Sequence, residues 1–292
     1  MTYDVAVALD ARAELGEGPS WDAATGRLIW VDITAGLVHR FDPASGDDEW
    51  FDVGQPVGAA VAATDGRIAL AVSDGFSILD PATGDVERIA HVETELDDTM
   101  MNDAKCDPAG RLWAGTKDAV DSRPIGALYR LGPDRQPVQV LRGLTVSNGL
   151  GWSPDRRTMY FIDSPTQRVD AFAFDLESGE IDDRRTLIEI PEAWGLPDGM
   201  TVDEEGSLWV AFWGGSAVRR FDPVGALVTT VECPVSQVTS CAFGGEDRSD
   251  LFVTSARDGL SEAQLADQPL AGALFRLRPG VRGQHPHPYR GE

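Results

Sequence analysis

A short apolar phrase returns six times along this chain, and nothing else in the sequence restricts the fold as much. It reads Leu28-Ile29-Trp30-Val31, Ile68-Ala69-Leu70-Ala71, Leu112-Trp113-Ala114-Gly115, Met159-Tyr160-Phe161-Ile162, Leu208-Trp209-Val210-Ala211 and Leu251-Phe252-Val253-Thr254. Successive copies begin 40–49 residues apart, the period at which propeller blades repeat. Most copies follow a turn of acidic, Pro and Gly residues, such as Thr25-Gly26-Arg27, Asp65-Gly66-Arg67 or Glu204-Glu205-Gly206, which is a hairpin signal. A second phrase closes each unit, as in Arg40-Phe41-Asp42-Pro43 and Arg220-Phe221-Asp222-Pro223. Where it ends in Pro, the missing N–H stops the strand. Six openings and six closings predict six small antiparallel sheets packed radially, which leaves only short sheet edges. The expected class is therefore all-β, a six-bladed β-propeller in a single domain over 1–292. A β-sandwich is the nearest rival, but it gives no reason for equal spacing. The early strand Asp4 to Leu9 is expected to pair with the last blade and close the ring. Only Ser261 to Gln268 has any helical character.

Ten or eleven residues before each apolar phrase stand Glu17, Val57 or Gly58, Asn102, Asn148, Asp198 and Ser240. Equivalent positions of a radial repeat share one height and one distance from the axis. If this phase marks the start of the innermost strand, two carboxylates and two amides meet at one mouth of the central channel. Converging carboxylates repel one another unless a proton or cation intervenes. All-oxygen donors suit a hard divalent ion such as Ca²⁺, Mg²⁺ or Mn²⁺. The same spacing is also compatible with residues that cap strand turns or line a hydrated tunnel.

The remaining composition narrows the partners. A formal net charge of −23 repels nucleic acid and anionic lipid, since binding either relies on Lys and Arg. The longest apolar run, Val57 to Ala63, is far below the roughly 20 residues of a membrane span. Nothing at the amino end reads as a secretory signal. Cys106, Cys233 and Cys241 are an odd set without paired spacing, which points to free thiols in a reducing, cytoplasmic setting. His39, His91, His285 and His287 share no phase, and His285-Pro286-His287-Pro288 reads as a solvated tail. Ser147 and Ser240 lack an evident base, which disfavours an acyl-enzyme route. The tryptophans, Trp152, Trp209 and Trp213 among them, read as blade packing.

Five phrases taken together resemble the regucalcin/gluconolactonase (senescence marker protein) family of metal-dependent lactonases. They are Leu15-Gly16-Glu17-Gly18-Pro19, Asn102-Asp103-Ala104-Lys105 with its continuation to Thr116, Ser147-Asn148-Gly149-Leu150, Pro197-Asp198-Gly199-Met200 and Ala256-Arg257-Asp258-Gly259-Leu260. The resemblance implies a six-bladed propeller, matching the repeat count. It implies one divalent ion (Ca²⁺, Zn²⁺, Mn²⁺, Mg²⁺ or Fe²⁺) on Glu17, Asn148 and Asp198, with Asn102 touching the substrate. It also implies hydrolysis of a small sugar lactone, Asp198 accepting the proton of the attacking water. The chain departs from the family pattern at three places. Met100 stands where sugar-lactone members often carry Arg, Lys117 where Met is usual, and Val120 where an acidic substrate contact is expected. Met100 and Lys117 are accordingly read as a rebuilt substrate face, with a surface position for Lys117 as the other reading. The small-molecule lactone is the expected partner of a monomer or weak homodimer. Rival readings are a phosphotriesterase or fluorophosphatase with a similar metal site, a calcium-binding regulator without turnover, and a scaffold propeller.

Overall fold

The computed structural model describes residues 3–96 and 98–291. Its strands form six four-stranded antiparallel sheets. Each recurring apolar phrase lies in the second strand of a sheet, and each closing phrase in the third. The inner strands are Gly16–Asp22, Val57–Ala62, Thr99–Cys106, Ser147–Trp152, Leu196–Val202 and Val238–Gly244 in blades one to six. The outermost strand of blade six is Ala6–Leu9, which pairs with Leu274–Leu277. The two ends of the β array thus complete one sheet.

The six apolar clusters each lie between two neighbouring blades. Alternation of side chains across a strand explains how one strand serves two clusters. In blade five, Leu208, Val210 and Phe212 face blade four, while Trp209 and Ala211 face blade six. A strand packed on both sides must be apolar throughout, and this is why the phrase is a continuous run. The turn ahead of it is locked by an aspartate. Asp203 is fully buried and accepts from Ser207 N (2.8 Å), Glu205 N (3.0 Å) and Trp209 Nε1 (3.0 Å). Asp107 does the same in blade three, with Trp113 Nε1 at 2.9 Å.

The helical expectation holds over Glu262–Asp267, where Ser261 and Gln264 form a capping box. The expectation of a solvated His-Pro tail does not. From Arg282 to Arg290 the chain crosses the face of the ring opposite the starts of the inner strands. Glu204 N donates to Arg282 O, Gly283 N to Arg248 O, Gln284 Nε2 to Trp152 O and Arg290 N to Gly110 O. Tyr289 is fully buried, pairs with Ala62 and Thr64, and donates its hydroxyl to Gly132 O. The prolines give this segment the extended course a strap needs, and Tyr289 anchors it. No helix among the described residues is long and apolar enough to cross a membrane.

Candidate functional site

All six inner strands carry a register shift at one place. It falls between Glu17 and Ser20, Val57 and Ala59, Met101 and Ala104, Ser147 and Leu150, Pro197 and Met200, and Val238 and Cys241. A bulge re-aims a side chain and interrupts pairing. Here the positions singled out by the repeat lie within or at the edge of the bulge, and the side chains of blades one, three, four and five turn into the channel mouth. The glycine after three of them, Gly58, Gly149 and Gly199, lets neighbouring blades approach. A Cβ on Gly149 would lie 2.6 Å from Asp198 O, and one on Gly58 would collide with Asn102 O. Blade two therefore offers no side chain to the mouth.

A cavity of about 160 Å³ opens there. Glu17, Asn102, Lys117, Asn148 and Asp198 all line it. Ser240 is buried in blade six and lies outside it. Met100 corrects the expectation of a substrate contact: it pairs with Lys117 along the ladder, and its side chain packs on the apolar cluster between blades one and two. Lys117 is no surface lysine. Its Nζ lies 2.8 Å from Asp121 Oδ1 at the cavity wall. Val120 is largely exposed, so the acidic group at this wall is the next residue, Asp121.

Glu17, Asn148 and Asp198 are each at least nine-tenths buried. Burial first, then the charges of Asp198 and Asp103, push the Glu17 carboxyl well above its ordinary value. Burial and Asp103 raise Asp198 likewise, against the opposing pull of the Asn148 amide and Lys117. Glu17 Oε2 accepts from Gly18 N at 2.9 Å. Asn148 Nδ2 donates to Ser164 Oγ at 3.2 Å, which leaves Asn148 Oδ1 without a partner. Asp198 Oδ1 is equally orphaned. Buried acceptors without donors are costly, and a hard cation is the group that satisfies several of them together. No three His, Cys, Asp or Glu side chains come together to hold an ion among the described residues, so the amide belongs to any such donor set.

Sequence reasoning missed several contributors. Asp121, Asp258 and Trp213 line the cavity; Asp258 stood in one of the distinctive phrases without a role, and Trp213 had been read as packing. Two further aspartates act from behind. Asp32 accepts from Glu14 N (2.8 Å) and Leu15 N (3.0 Å), fixing the approach to Glu17. Asp163 accepts from Val146 N (2.8 Å), fixing the approach to Asn148. Both end the second strand of their blade, a recurrence visible as Val31-Asp32 and Ile162-Asp163. A larger cavity of about 610 Å³ lies at the other mouth, beneath the strap. It contains none of the convergent carboxylates, which face the smaller one.

Comparison with known proteins agrees with the fold. The family model described as SMP-30/Gluconolactonase/LRE-like region matches residues 15–257. Regucalcin of Gallus gallus is 41% identical over 287 residues, covering 96% of each chain. Among solved structures, a calcium-binding protein, regucalcin, from Agrobacterium tumefaciens superposes with a TM-score of 0.95 at 30% identity, covering 99% of this chain and 98% of the other. A gluconolactonase from Xanthomonas campestris superposes with a TM-score of 0.77 at 25% identity, over 94% and 89%.

Proposed function

The chain belongs to the SMP-30/gluconolactonase/LRE-like family, and from that premise we propose that it is a lactonase, opening a small sugar lactone to the corresponding hydroxy acid with the help of one divalent cation. The observation that carries the reading is the pair of orphaned oxygens, Asn148 Oδ1 and Asp198 Oδ1, facing one small cavity with Glu17. These three side chains would hold the ion. The chemistry such an ion supplies when bound is polarisation of a carbonyl and stabilisation of the oxyanion that follows. Asp198 takes the proton of the water that adds to the lactone carbonyl. As the ring C–O bond breaks, that proton passes to the departing alkoxide oxygen. Asn102, whose Nδ2 is tied to Ser147 O at 2.8 Å, presents a fixed amide beside the reacting carbon. Lys117 and Asp121 offer a charged pair to substrate hydroxyls, and Leu15, Ile33, Leu196 and Trp213 form a less polar wall. We also read 1–292 as one domain, because its first strand completes its last blade.

A panel of lactones and phosphotriesters, followed with a pH indicator with and without EDTA, tests the assignment. Lactone opening that EDTA abolishes is the expected result. Asp198→Asn should remove turnover by at least about 10²-fold, the scale of a lost general base, with an unchanged circular dichroism spectrum. Unchanged turnover in that variant would remove Asp198 from the mechanism, and tight Ca²⁺ binding with no hydrolysis of any lactone would overturn the enzymatic reading.

A further inference from the structure

The channel between the two cavities is bridged by a charged side chain. Asn102 lines the upper cavity, and Lys105, three residues further along the same inner strand, lines the lower one. The Lys105 side chain crosses from blade three to blade five, where its Nζ donates to Met200 O. Between them on the strand lies Asp103, which is 5% exposed. Its Oδ1 accepts from Ala104 N at 2.8 Å, and its Oδ2 has no partner. Asp103 lies within electrostatic reach of both Glu17 and Asp198, and the Lys105 ammonium within reach of Asp103 and Glu17. A buried carboxylate left unpaired beneath two others is an expensive arrangement unless the charge of the whole group is balanced.

We propose that Lys105 is a tethered counter-cation of the acidic set Glu17, Asp103 and Asp198, and that it sets the valence of the ion the upper site accepts. Lys117 and Asp121 at the cavity wall cancel as an ion pair, so the three carboxylates and the Lys105 ammonium leave a formal charge of −2, which a divalent ion neutralises. Without Lys105 the sum is −3, which favours a trivalent ion. This makes Lys105 a positioning residue acting through charge, with no contact to substrate. The inference rests on the cation reading of the upper site.

Protein stripped with EDTA and titrated separately with Ca²⁺ and Tb³⁺, by calorimetry and by Tb³⁺ luminescence, tests it. Coulomb energy scales with the charge of the ion. Lys105→Met should therefore bind Ca²⁺ about 10²-fold more tightly and Tb³⁺ about 10³-fold more tightly, the scale of one charge felt across about 10 Å at an effective dielectric of about 20. Lys105→Arg should keep both affinities within about threefold of the parent. Asp103→Asn should weaken Ca²⁺ by about 10²-fold and Tb³⁺ by about 10³-fold on the same scale, and it decides the matter if Lys105→Met does not fold. Parental affinities in Lys105→Met or in Asp103→Asn, or a change equal for the two ions, would overturn the counter-cation role while leaving the upper site intact. A parent protein that binds neither ion would instead overturn the cation reading itself, and this inference with it.

Discussion

Replacing Gly149 by Ala tests whether the ring closes as tightly as the site requires. Gly149 follows Asn148 in the bulge of blade four, and its backbone is not in the left-handed region. An added Cβ would lie 2.6 Å from Asp198 O, 2.9 Å from Ile162 Cδ1 and 3.0 Å from Met200 Cγ. The first neighbour is backbone, so relief means moving blade five outward by up to about 0.8 Å, the shortfall from an ordinary 3.4 Å contact. Overpacking of this kind costs about 1–3 kcal/mol. Loss of glycine's freedom in the unfolded chain returns about 0.4–1 kcal/mol, leaving a net loss of about 1–2 kcal/mol. For a chain of this size that lowers Tm by about 2–6 °C, measurable by scanning calorimetry. The same displacement separates Asn148 from Asp198, so ion affinity should fall as well. Gly132→Ala is the control: its nearest neighbour is the Asp134 side chain at 3.2 Å, and stability should hold or rise slightly. A Gly149→Ala protein with parental Tm and parental ion affinity would refute the close approach of blades four and five at the site.

The strap and the thiols give two further outcomes. Tyr289→Ala removes a fully buried ring and a hydroxyl bond to Gly132 O, and urea unfolding should register a loss of about 3–5 kcal/mol; a loss below 1 kcal/mol would mean the strap contributes little. Burial pushes the Cys233 and Cys241 thiols up to about 12, and Cys106 upward as well. Ellman's reagent at pH 8 should therefore find no reactive thiol in the native protein and three after denaturation. Because the native state holds these protons longer than the unfolded chain, stability should decline as pH rises from the ordinary thiol value towards 12.

The features that repeat were legible in the sequence, and those that do not were obscure. The second strands are apolar on both faces because each blade is packed between two others, so Leu208 to Ala211 announces itself without an alignment. The fourth strands, such as Ile181–Glu189, are mostly exposed and look like loops. Glu17, Asn102, Asn148 and Asp198 could be found because they occupy one phase of the repeat. Asp121 and Asp258 lie in the connections above the ring, where length varies from blade to blade and no phase survives, while Trp213 ends a second strand, Leu208–Trp213, whose other residues pack between blades. Met100 misled because a family position was taken for a direction. One residue before the bulge the strand still alternates, and that alternation turns the side chain into the cluster between blades one and two. The strap was misread for a related reason: His-Pro composition is that of a tail, whereas the outcome depended on Tyr289 finding a slot between blades two and three.

The buried carboxylates themselves lead to the last prediction. Glu17 and Asp198 are raised above the ordinary carboxylate value by burial first and by neighbouring acids next, so in the ion-free protein they bind protons more tightly than in the unfolded chain. Native protein then holds more protons than unfolded protein once pH exceeds the ordinary carboxylate pKa, and ion-free stability falls as pH rises through that window up to the raised values. A bound cation requires the ionised forms, so its affinity rises over the same window. The two trends oppose, and the gain in Tm on adding Ca²⁺ should therefore increase with pH. With the ion at 100 times its Kd, the gain is about 2.7 kcal/mol, or about 5–8 °C. Scans with EDTA or excess Ca²⁺ at several pH values measure it. A Tm indifferent to the ion at every pH would mean that the orphaned oxygens of Asn148 and Asp198 are not completed by a cation.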